Sequence, residues 1–204
     1  MRSLRLDSSW LGMVPHGENA APGREPLWQP RRRVPLARIP ASLLPWLLDE
    51  GSLTRRVVDA CPGPFRVRVV SQRWRRPMRN EALALGLRPQ GRALVREVQL
   101  LCQEVAWVHA RTVIPRATLS GRERRLAHLG SRSLGAVLFA DPTLERAETE
   151  LARLVPGDIL YADIAAALDR PPAELWGRRT RFALSGKPLL VSEVFLPPIG
   201  EYRA

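Results

Sequence analysis

The stretch that predicts most about the fold is residues 175–197, LWGRRTRFALSGKPLLVSEVFLP. Its first part, residues 179–184, alternates basic with other side chains, and its second part, residues 189–196, is apolar on both faces. Between them stands Ser185-Gly186-Lys187, and glycine tolerates the positive φ that a tight turn requires. The stretch therefore predicts a β-hairpin whose second arm is covered on both sides.

One acidic residue, Glu193, interrupts the apolar second arm. It stands two positions from both Val191 and Phe195, so in a strand it shares their face. A carboxylate in such surroundings must be neutralised, paired or in use. Glu193 is therefore the first candidate for a functional residue.

Arg96 is a second charged residue on a predicted apolar strand face, and its charge is opposite to that of Glu193. In the predicted strand at residues 93–102 it shares a face with Leu94, Val98 and Leu100, where a guanidinium needs a carboxylate partner. Two interpretations remain open. Arg96 and Glu193 form a buried salt bridge that only stabilises the fold, or they line one pocket and bind a ligand that carries a carboxylate and a hydroxyl or ether oxygen.

Alternation or continuous apolar character predicts further strands at residues 65–74 and 105–114, with Gln103-Glu104 as a two-residue link before the latter. Residues 75–92 have the composition of a loop. Helices are predicted over residues 41–49 with Ser42 as N-cap, from Ser52 onward, over 121–129 with Ser120 as N-cap, and over 158–168. Residues 143–154 are compatible with a strand or a helix, and their apolar spacing favours a helix. Together these elements predict an α+β fold with one antiparallel sheet.

The length of 204 residues predicts one domain. No membrane span is expected, because no apolar run approaches about 18 residues. We expect a cytoplasmic monomer in which Cys61 and Cys102 are reduced, buried thiols. Residues 1–33 predict a flexible leader before a single domain at 34–204.

The net charge of +12 comes almost entirely from arginine. It indicates either an anionic partner or a general bias toward arginine.

Other side chains are weaker candidates. His109 lies within a predicted strand and is typical of a structural histidine, and His128 lies in a surface-like helix. Arg178, Arg179 and Arg181 favour a solvated strand face over a nucleic-acid site, because few aromatic residues alternate with them. No metal-ligand spacing, phosphate-binding glycine loop or catalytic triad is evident.

Several segments in order resemble the chorismate pyruvate-lyase family of bacterial ubiquinone biosynthesis. They are residues 46–56 (WLLDEGSLTRR), 95–98 (VREV), 110–115 (ARTVIP), 118–121 (TLSG), 175–179 (LWGRR) and 184–190 (LSGKPLL), followed by Glu193. The resemblance runs from about residue 34 to 197. It implies a lyase without cofactor or metal that converts chorismate to 4-hydroxybenzoate and pyruvate. It also implies a sheet of about six strands with short helices closing over a buried site.

The resemblance also implies roles for four residues. Arg96 matches the arginine that holds the ring carboxylate, and Glu193 matches the glutamate at the opposite end of the ring. Leu53 and Leu134 match substrate-binding positions on two helical flaps. Residues 155–173 are expected to be an insertion relative to the family.

A second function is compatible with the resemblance. The same fold serves as an effector-binding domain in some bacterial transcription regulators, without catalysis. That function predicts a winged-helix module ahead of the domain, and the leader of about 33 residues is too short for one.

Overall fold

The computed structural model describes residues 23–88 and 90–201. In this part of the chain the strands are β1 (Gln29–Pro30), β2 (Phe65–Arg75), β3 (Ala93–Cys102), β4 (Val105–Pro115), β5 (Leu144–Arg146), β6 (Glu150–Leu154), β7 (Leu175–Leu184) and β8 (Lys187–Phe195). The α-helices are α1 (Leu44–Leu47), α2 (Leu53–Ala60), α3 (Arg79–Ala84), α4 (Leu134–Phe139), α5 (Ile159–Ala165) and α6 (Pro197–Glu201). Turns of 3₁₀ helix occupy Arg31–Arg33, Leu36–Arg38, Ala41–Leu43 and Gly121–His128.

The strands form one sheet in the order β1-β6-β7-β8-β4-β3-β2, and β5 also pairs with β7. Every neighbouring pair is antiparallel. The α+β class with a single antiparallel sheet is thus confirmed, although the described residues form eight strands rather than about six. The two shortest strands are β1, which pairs with β6, and β5, which pairs with β7.

The two predicted hairpins are confirmed, and both use positive φ. At the β7–β8 turn, Ser185 (φ 50°) and Gly186 (φ 74°) follow each other, and at the β3–β4 turn Gln103 (φ 48°) and Glu104 (φ 69°) do so without a glycine. Two successive positive φ values match the right-handed twist of the flanking strands. Each two-residue turn fixes which residues of its two strands face each other, and therefore which side chains share a face.

The two faces of the sheet differ in chemistry. On the face covered by α2 and α4, β3 places Arg96 among apolar side chains. On the reverse face, Arg111 of β4 lies between two carboxylates. Its Nη1 is 2.6 Å from Glu97 Oε1 of β3, and its Nε is 2.7 Å from Glu81 Oε1 of α3. All three side chains are buried. Burial would raise the pKa of Glu97, but Arg111, the Ser71 hydroxyl and other neighbours lower it to about 2. This ion-pair network stabilises the packing of α3 on the sheet.

Residues 143–154 form two strands, so the predicted helix there is wrong. β5 pairs with β7 at residues 182–184 and β6 pairs with β7 from Leu175 to Arg179. The helical spacing of apolar residues is overridden because β7 would otherwise present an unpaired backbone edge. Leu151 and Leu154 are both fully buried by this pairing.

The prediction of a loop over residues 75–92 is also incorrect, because α3 lies within it. The Glu81 carboxylate accepts a hydrogen bond from the Met78 amide at 2.8 Å and supplies the first turn with an acceptor. Glu81 is 1% exposed, and Arg111 neutralises it. The helix therefore depends on a partner from a distant strand, which local sequence cannot reveal.

Neither predicted N-cap, Ser42 or Ser120, makes a side-chain capping hydrogen bond, whereas the helix predicted from Ser52 onward is confirmed as α2 and has Ser52 as its N-cap. Its Oγ accepts from the Arg55 amide at 3.4 Å and begins α2. Ser120 instead donates to the Ala117 carbonyl at 2.9 Å. Ser42 lies inside the 3₁₀ turn that precedes α1. The predicted helix over residues 158–168 is confirmed as α5.

The prediction that both cysteines are free thiols is wrong, because Cys61 and Cys102 form a disulfide bond. Cys61 follows α2 directly, and Phe65, four residues later, pairs with Cys102 at the end of β3. The chain reversal between α2 and β2 therefore brings the two residues together.

The packed domain begins before residue 34. Trp28 is 8% exposed and belongs to a cluster with Leu160 and Ile164 of α5, and β1 pairs with β6. The described part of the predicted leader, residues 23–33, is thus packed, whereas residues 1–22 lie outside the described residues. That residues 155–173 are an insertion stays a prediction.

Candidate functional site

A cavity lies between the sheet and the two helices α2 and α4. Its apolar wall includes Leu53, Val67, Val98, Leu100, Ala110, Leu134, Leu138, Phe139, Phe182 and Val191, and its polar wall includes Thr54, Arg96, Thr112, Arg132, Ser133, Arg146, Arg178, Thr180 and Glu193. All four sequence-predicted site residues are thus brought to one cavity: Leu53, Arg96, Leu134 and Glu193.

The floor of the cavity follows from strand register. Arg96 pairs with Thr112 of β4, Thr112 with Val191 of β8, and Val191 with Thr180 of β7, which makes one row across the sheet. Glu193 stands in the adjacent row, two strands away from Arg96. At about 4.8 Å between strands and about 3.4 Å along them, the two Cα atoms lie about 12 Å apart. Two inward-pointing side chains at that separation can contact opposite ends of a small ring.

Arg96 has no carboxylate within 4 Å among the described residues. Its guanidinium donates to Gln72 Oε1 at 3.0 Å and to the carbonyls of Gly130 at 2.8 Å and Arg132 at 3.4 Å. Burial lowers the pKa of Arg96. An arginine that is oriented by neutral acceptors and lacks an acidic partner is suited to an anionic ligand.

The interpretation of a buried Arg96–Glu193 salt bridge is wrong, because Glu193 pairs with Arg178. Arg178 Nε donates to Glu193 Oε2 at 2.6 Å, and its Nη1 donates to the carbonyls of Trp46 and Asp49. Glu193 remains 20% exposed, and the space it faces is the cavity. The carboxylate thus keeps acceptor capacity for a ligand while Arg178 holds it in place.

The cavity is closed by the two helices, which contact each other. Ser133 Oγ donates to Thr54 Oγ1 at 2.8 Å and joins the start of α4 to the start of α2. Gly135 makes this approach feasible, because a Cβ there would lie 3.1 Å from Ser52 Oγ and from Thr54 Oγ1. The enclosed volume is about 50 Å³, whereas ligand pockets usually measure about 300–1,000 Å³. In this conformation the space beneath α2 and α4, the two predicted flaps, is therefore too small for a ring-sized ligand.

The prediction that Arg178, Arg179 and Arg181 form a solvated strand face is wrong for Arg178 and Arg179, which are buried. Arg178 is 3% exposed on the cavity face, and Arg179 is 5% exposed on the reverse face, where Glu150 pairs with it at 2.7 Å. Arg181 alone is exposed. A sequence signal for Arg178 exists, because counting back from the two-residue turn places it directly opposite Glu193.

Arg132 and Arg146 were not predicted from the sequence either. Both are arginines of irregular or short segments, and only the tertiary structure brings them to the cavity. With Arg96 and Arg178 they place four guanidinium groups around a single carboxylate, Glu193. The site therefore carries an excess of positive charge that favours a ligand with more than one negative charge.

The histidines do not contribute to this site. His109 lies on the reverse face of the sheet at 5% exposure, and burial lowers its pKa to about 4. His128 ends the 3₁₀ turn at Gly121–His128. Within residues 23–88 and 90–201 no group of acidic, histidine or cysteine side chains is arranged for a metal ion, and no helix there is long and apolar enough to cross a membrane.

Comparisons with known proteins match the chain to one family. A family model described as "Chorismate lyase" matches residues 24–202. A protein named "Probable chorismate pyruvate-lyase" from Aromatoleum aromaticum is 47% identical over 172 residues, which cover 83% of this chain and 92% of the relative. A protein of the same name from Methylococcus capsulatus is 45% identical over 154 residues, which cover 76% of this chain and 94% of the relative.

Among solved structures, the C-terminal domain of the histidine utilization repressor from Pseudomonas syringae pv. tomato matches with a TM-score of 0.48 and 11% identity. The match covers 69% of this chain and 95% of that chain.

Proposed function

The chain belongs to the chorismate lyase family, and from that membership we propose that it is a chorismate pyruvate-lyase. It converts chorismate to 4-hydroxybenzoate and pyruvate and supplies the aromatic ring for ubiquinone biosynthesis. It needs no cofactor, and it acts in the cytoplasm as a monomer.

The observation that carries the proposal is the placement of two complementary groups across one closed cavity. Arg96 at one end is a buried cation without a carboxylate partner among the described residues, and Glu193 at the other end is a carboxylate held by Arg178. Arg96 binds the ring carboxylate, and Glu193 accepts a hydrogen bond from the ring hydroxyl. Leu53 and Leu134, on the two flaps, cover the faces of the ring.

The reaction requires little from the protein beyond positioning and electrostatics. The ether bond between the ring and the enolpyruvyl oxygen breaks, and its electron pair leaves on that oxygen. The adjacent ring carbon, which bears the hydroxyl, loses its proton, and the C–H electron pair completes the aromatic ring. The proton ends on the methylene carbon of the enolpyruvyl group, so that the products are 4-hydroxybenzoate and pyruvate.

Two routes for that proton are chemically balanced. It passes directly within the substrate in a concerted step, or Glu193 accepts it first and returns it. In both routes Arg96 and Glu193 hold the ring, and aromatisation drives the cleavage. The closed flaps keep water from the reacting atoms.

The same geometry predicts that product leaves slowly. Every contact assigned to the ring carboxylate and hydroxyl is available to 4-hydroxybenzoate, and release requires α2 and α4 to separate. Flap opening then limits turnover, and added 4-hydroxybenzoate inhibits strongly.

The test is incubation of the purified protein with chorismate and a metal chelator, with 4-hydroxybenzoate followed by chromatography. We expect product in large excess over protein, and the same yield from Arg181→Ala, a control on β7 whose side chain is exposed. Saturable binding of 4-hydroxybenzoate without turnover of chorismate would contradict the proposal and favour an effector-binding domain.

A further inference from the structure

Arg146 separates the closed cavity from a second, open cleft. It stands on β5 directly opposite Phe182 of β7, so its side chain lies on the cavity face, with the guanidinium carbon 5.9 Å from the Phe182 ring centroid. The outer cleft measures about 590 Å³, and its wall includes Arg31, Glu50 and Thr149. Arg146 lines both spaces.

The guanidinium of Arg146 lies at the Glu193 end of the cavity. Arg146 donates to the carbonyl of Glu50, and Arg178 donates to the carbonyl of Asp49, the preceding residue. Because these two acceptors are consecutive in the chain, the two guanidinium groups are neighbours. Arg178 in turn binds Glu193 at 2.6 Å.

Arg146 is a half-buried cation without an acidic partner. Its acceptors are the Glu50 carbonyl and the Thr149 hydroxyl at 3.1 Å, and within the described residues no carboxylate oxygen lies within 4 Å of it. Burial and the proximity of Arg178 lower the pKa of Arg146, and the more distant carboxylates of Glu193, Glu50 and Asp49 offset part of this effect. The same pattern, a guanidinium oriented by neutral acceptors, occurs at Arg96.

The other two arginines of the cavity are less suited to a second anion. Arg178 is already neutralised by Glu193. Arg132 lies at the opposite end, where its carbonyl accepts from Arg96 and its guanidinium contacts the carbonyls of His128 and Leu129.

We propose that Arg146 binds the second carboxylate of the substrate, the one on the enolpyruvyl group. This inference rests on the proposed function. The ether oxygen is on the ring carbon next to the hydroxyl-bearing carbon, so when Glu193 holds the hydroxyl, the enolpyruvyl carboxylate lies at the Arg146 end. The aromatic product lacks this carboxylate.

That difference between substrate and product defines the test. Arg146→Gln removes the charge and keeps a polar side chain that can donate a hydrogen bond. We expect kcat/KM for chorismate to fall about 10- to 150-fold, as for the loss of a hydrogen bond to a charged group. The Kd of 4-hydroxybenzoate should change less than about threefold. In Arg146→Lys, which keeps the charge, part of the activity should return.

A stable diacid gives a second readout that does not depend on turnover. The probe is 3-(carboxymethoxy)-4-hydroxybenzoate, which carries a carboxylate in place of the enolpyruvyl one. Arg146→Gln should weaken its binding by the same 10- to 150-fold range without weakening 4-hydroxybenzoate binding. Arg181→Gln, on the neighbouring strand and exposed, should leave both affinities unchanged, and circular dichroism melting checks that each variant is folded.

The outcomes separate the two proposals. Wild-type protein that forms no product from chorismate would overturn the proposed function and this inference with it. Active wild-type protein with an Arg146→Gln variant of unchanged kcat/KM and unchanged diacid affinity would overturn the inference alone. Parallel loss of 4-hydroxybenzoate and diacid binding would do the same, because it would make Arg146 a structural residue of the whole cavity.

Discussion

Replacing Arg96 by methionine removes the only guanidinium assigned to the ring carboxylate while keeping most of the apolar stem. In the protein, this guanidinium donates to one amide oxygen and two carbonyls and has no acidic partner in the described part of the chain. The variant therefore separates ligand binding from the stability of the fold. No buried carboxylate of the protein is left unpaired by it.

The two expected effects differ in size. A bound carboxylate in the closed cavity would lose its cation, and breaking such a buried pair costs about 3–5 kcal/mol, equal to a roughly 150- to 5,000-fold weaker Kd. The fold loses hydrogen bonds worth about 0.5–1.5 kcal/mol each, but it no longer buries a charge, whose cost is shown by the lowered pKa of Arg96. We expect the free energy of unfolding to change by less than about 2 kcal/mol.

The assay is isothermal titration of 4-hydroxybenzoate into wild-type protein, Arg96→Met and Arg96→Lys, with urea unfolding of each. Lysine keeps the charge but not the fork-shaped donor geometry, so its affinity should be intermediate. A folded Arg96→Met protein that binds 4-hydroxybenzoate within about threefold of wild type would refute the assignment of Arg96 to the ring carboxylate.

Three further predictions concern the other charged groups. Glu193→Gln should lower kcat for chorismate at least about 100-fold, measured by product formation; an unchanged rate would make Glu193 structural. Arg111→Met leaves the Glu81 carboxylate buried without a cation, while Glu97 keeps Arg75 at 3.2 Å, so urea unfolding at pH 7 should show a loss of about 3–5 kcal/mol, whereas a loss below about 1 kcal/mol would contradict the buried network. Burial lowers the pKa of His109 to about 4 in the folded protein, whereas the pKa of histidine in an unfolded chain is about 6.5. Its stabilising contribution is therefore complete above pH 6.5 and is lost as the pH falls toward 4. His109→Gln should lose about 2 kcal/mol less stability than wild type between pH 7 and pH 4.5, and equal losses would contradict the buried neutral state.

The faces of the long strands could be predicted from sequence, since side chains alternate with a period of two. This placed Arg96 on the apolar face of β3 and Glu193 on that of β8. The turns of both hairpins were also predicted from their residues, although Lys187, predicted in the turn, begins β8. The resemblance to a known family added Leu53 and Leu134, for which composition and periodicity offered no signal.

Partners from distant segments could not be predicted. Arg178 rather than Arg96 neutralises Glu193 because β7 lies beside β8, and Arg178 also donates to the carbonyls of Trp46 in α1 and Asp49 just after it. The α3 helix was missed because Glu81 is stabilised by Arg111, which is 30 residues away in the chain.

The sequence by itself determined the five long strands, their inward faces and the two residues that point into the cavity, because these depend on local periodicity and on turn geometry. Only the tertiary structure decided which charges meet. Strand order brings β5 to the edge of β7 and places Arg146 beside Arg178 and Glu193, although β5 has the apolar spacing of a helix. The physical reason is that an ion pair or a free guanidinium depends on distances between segments, and these are set by sheet pairing and burial across the whole domain.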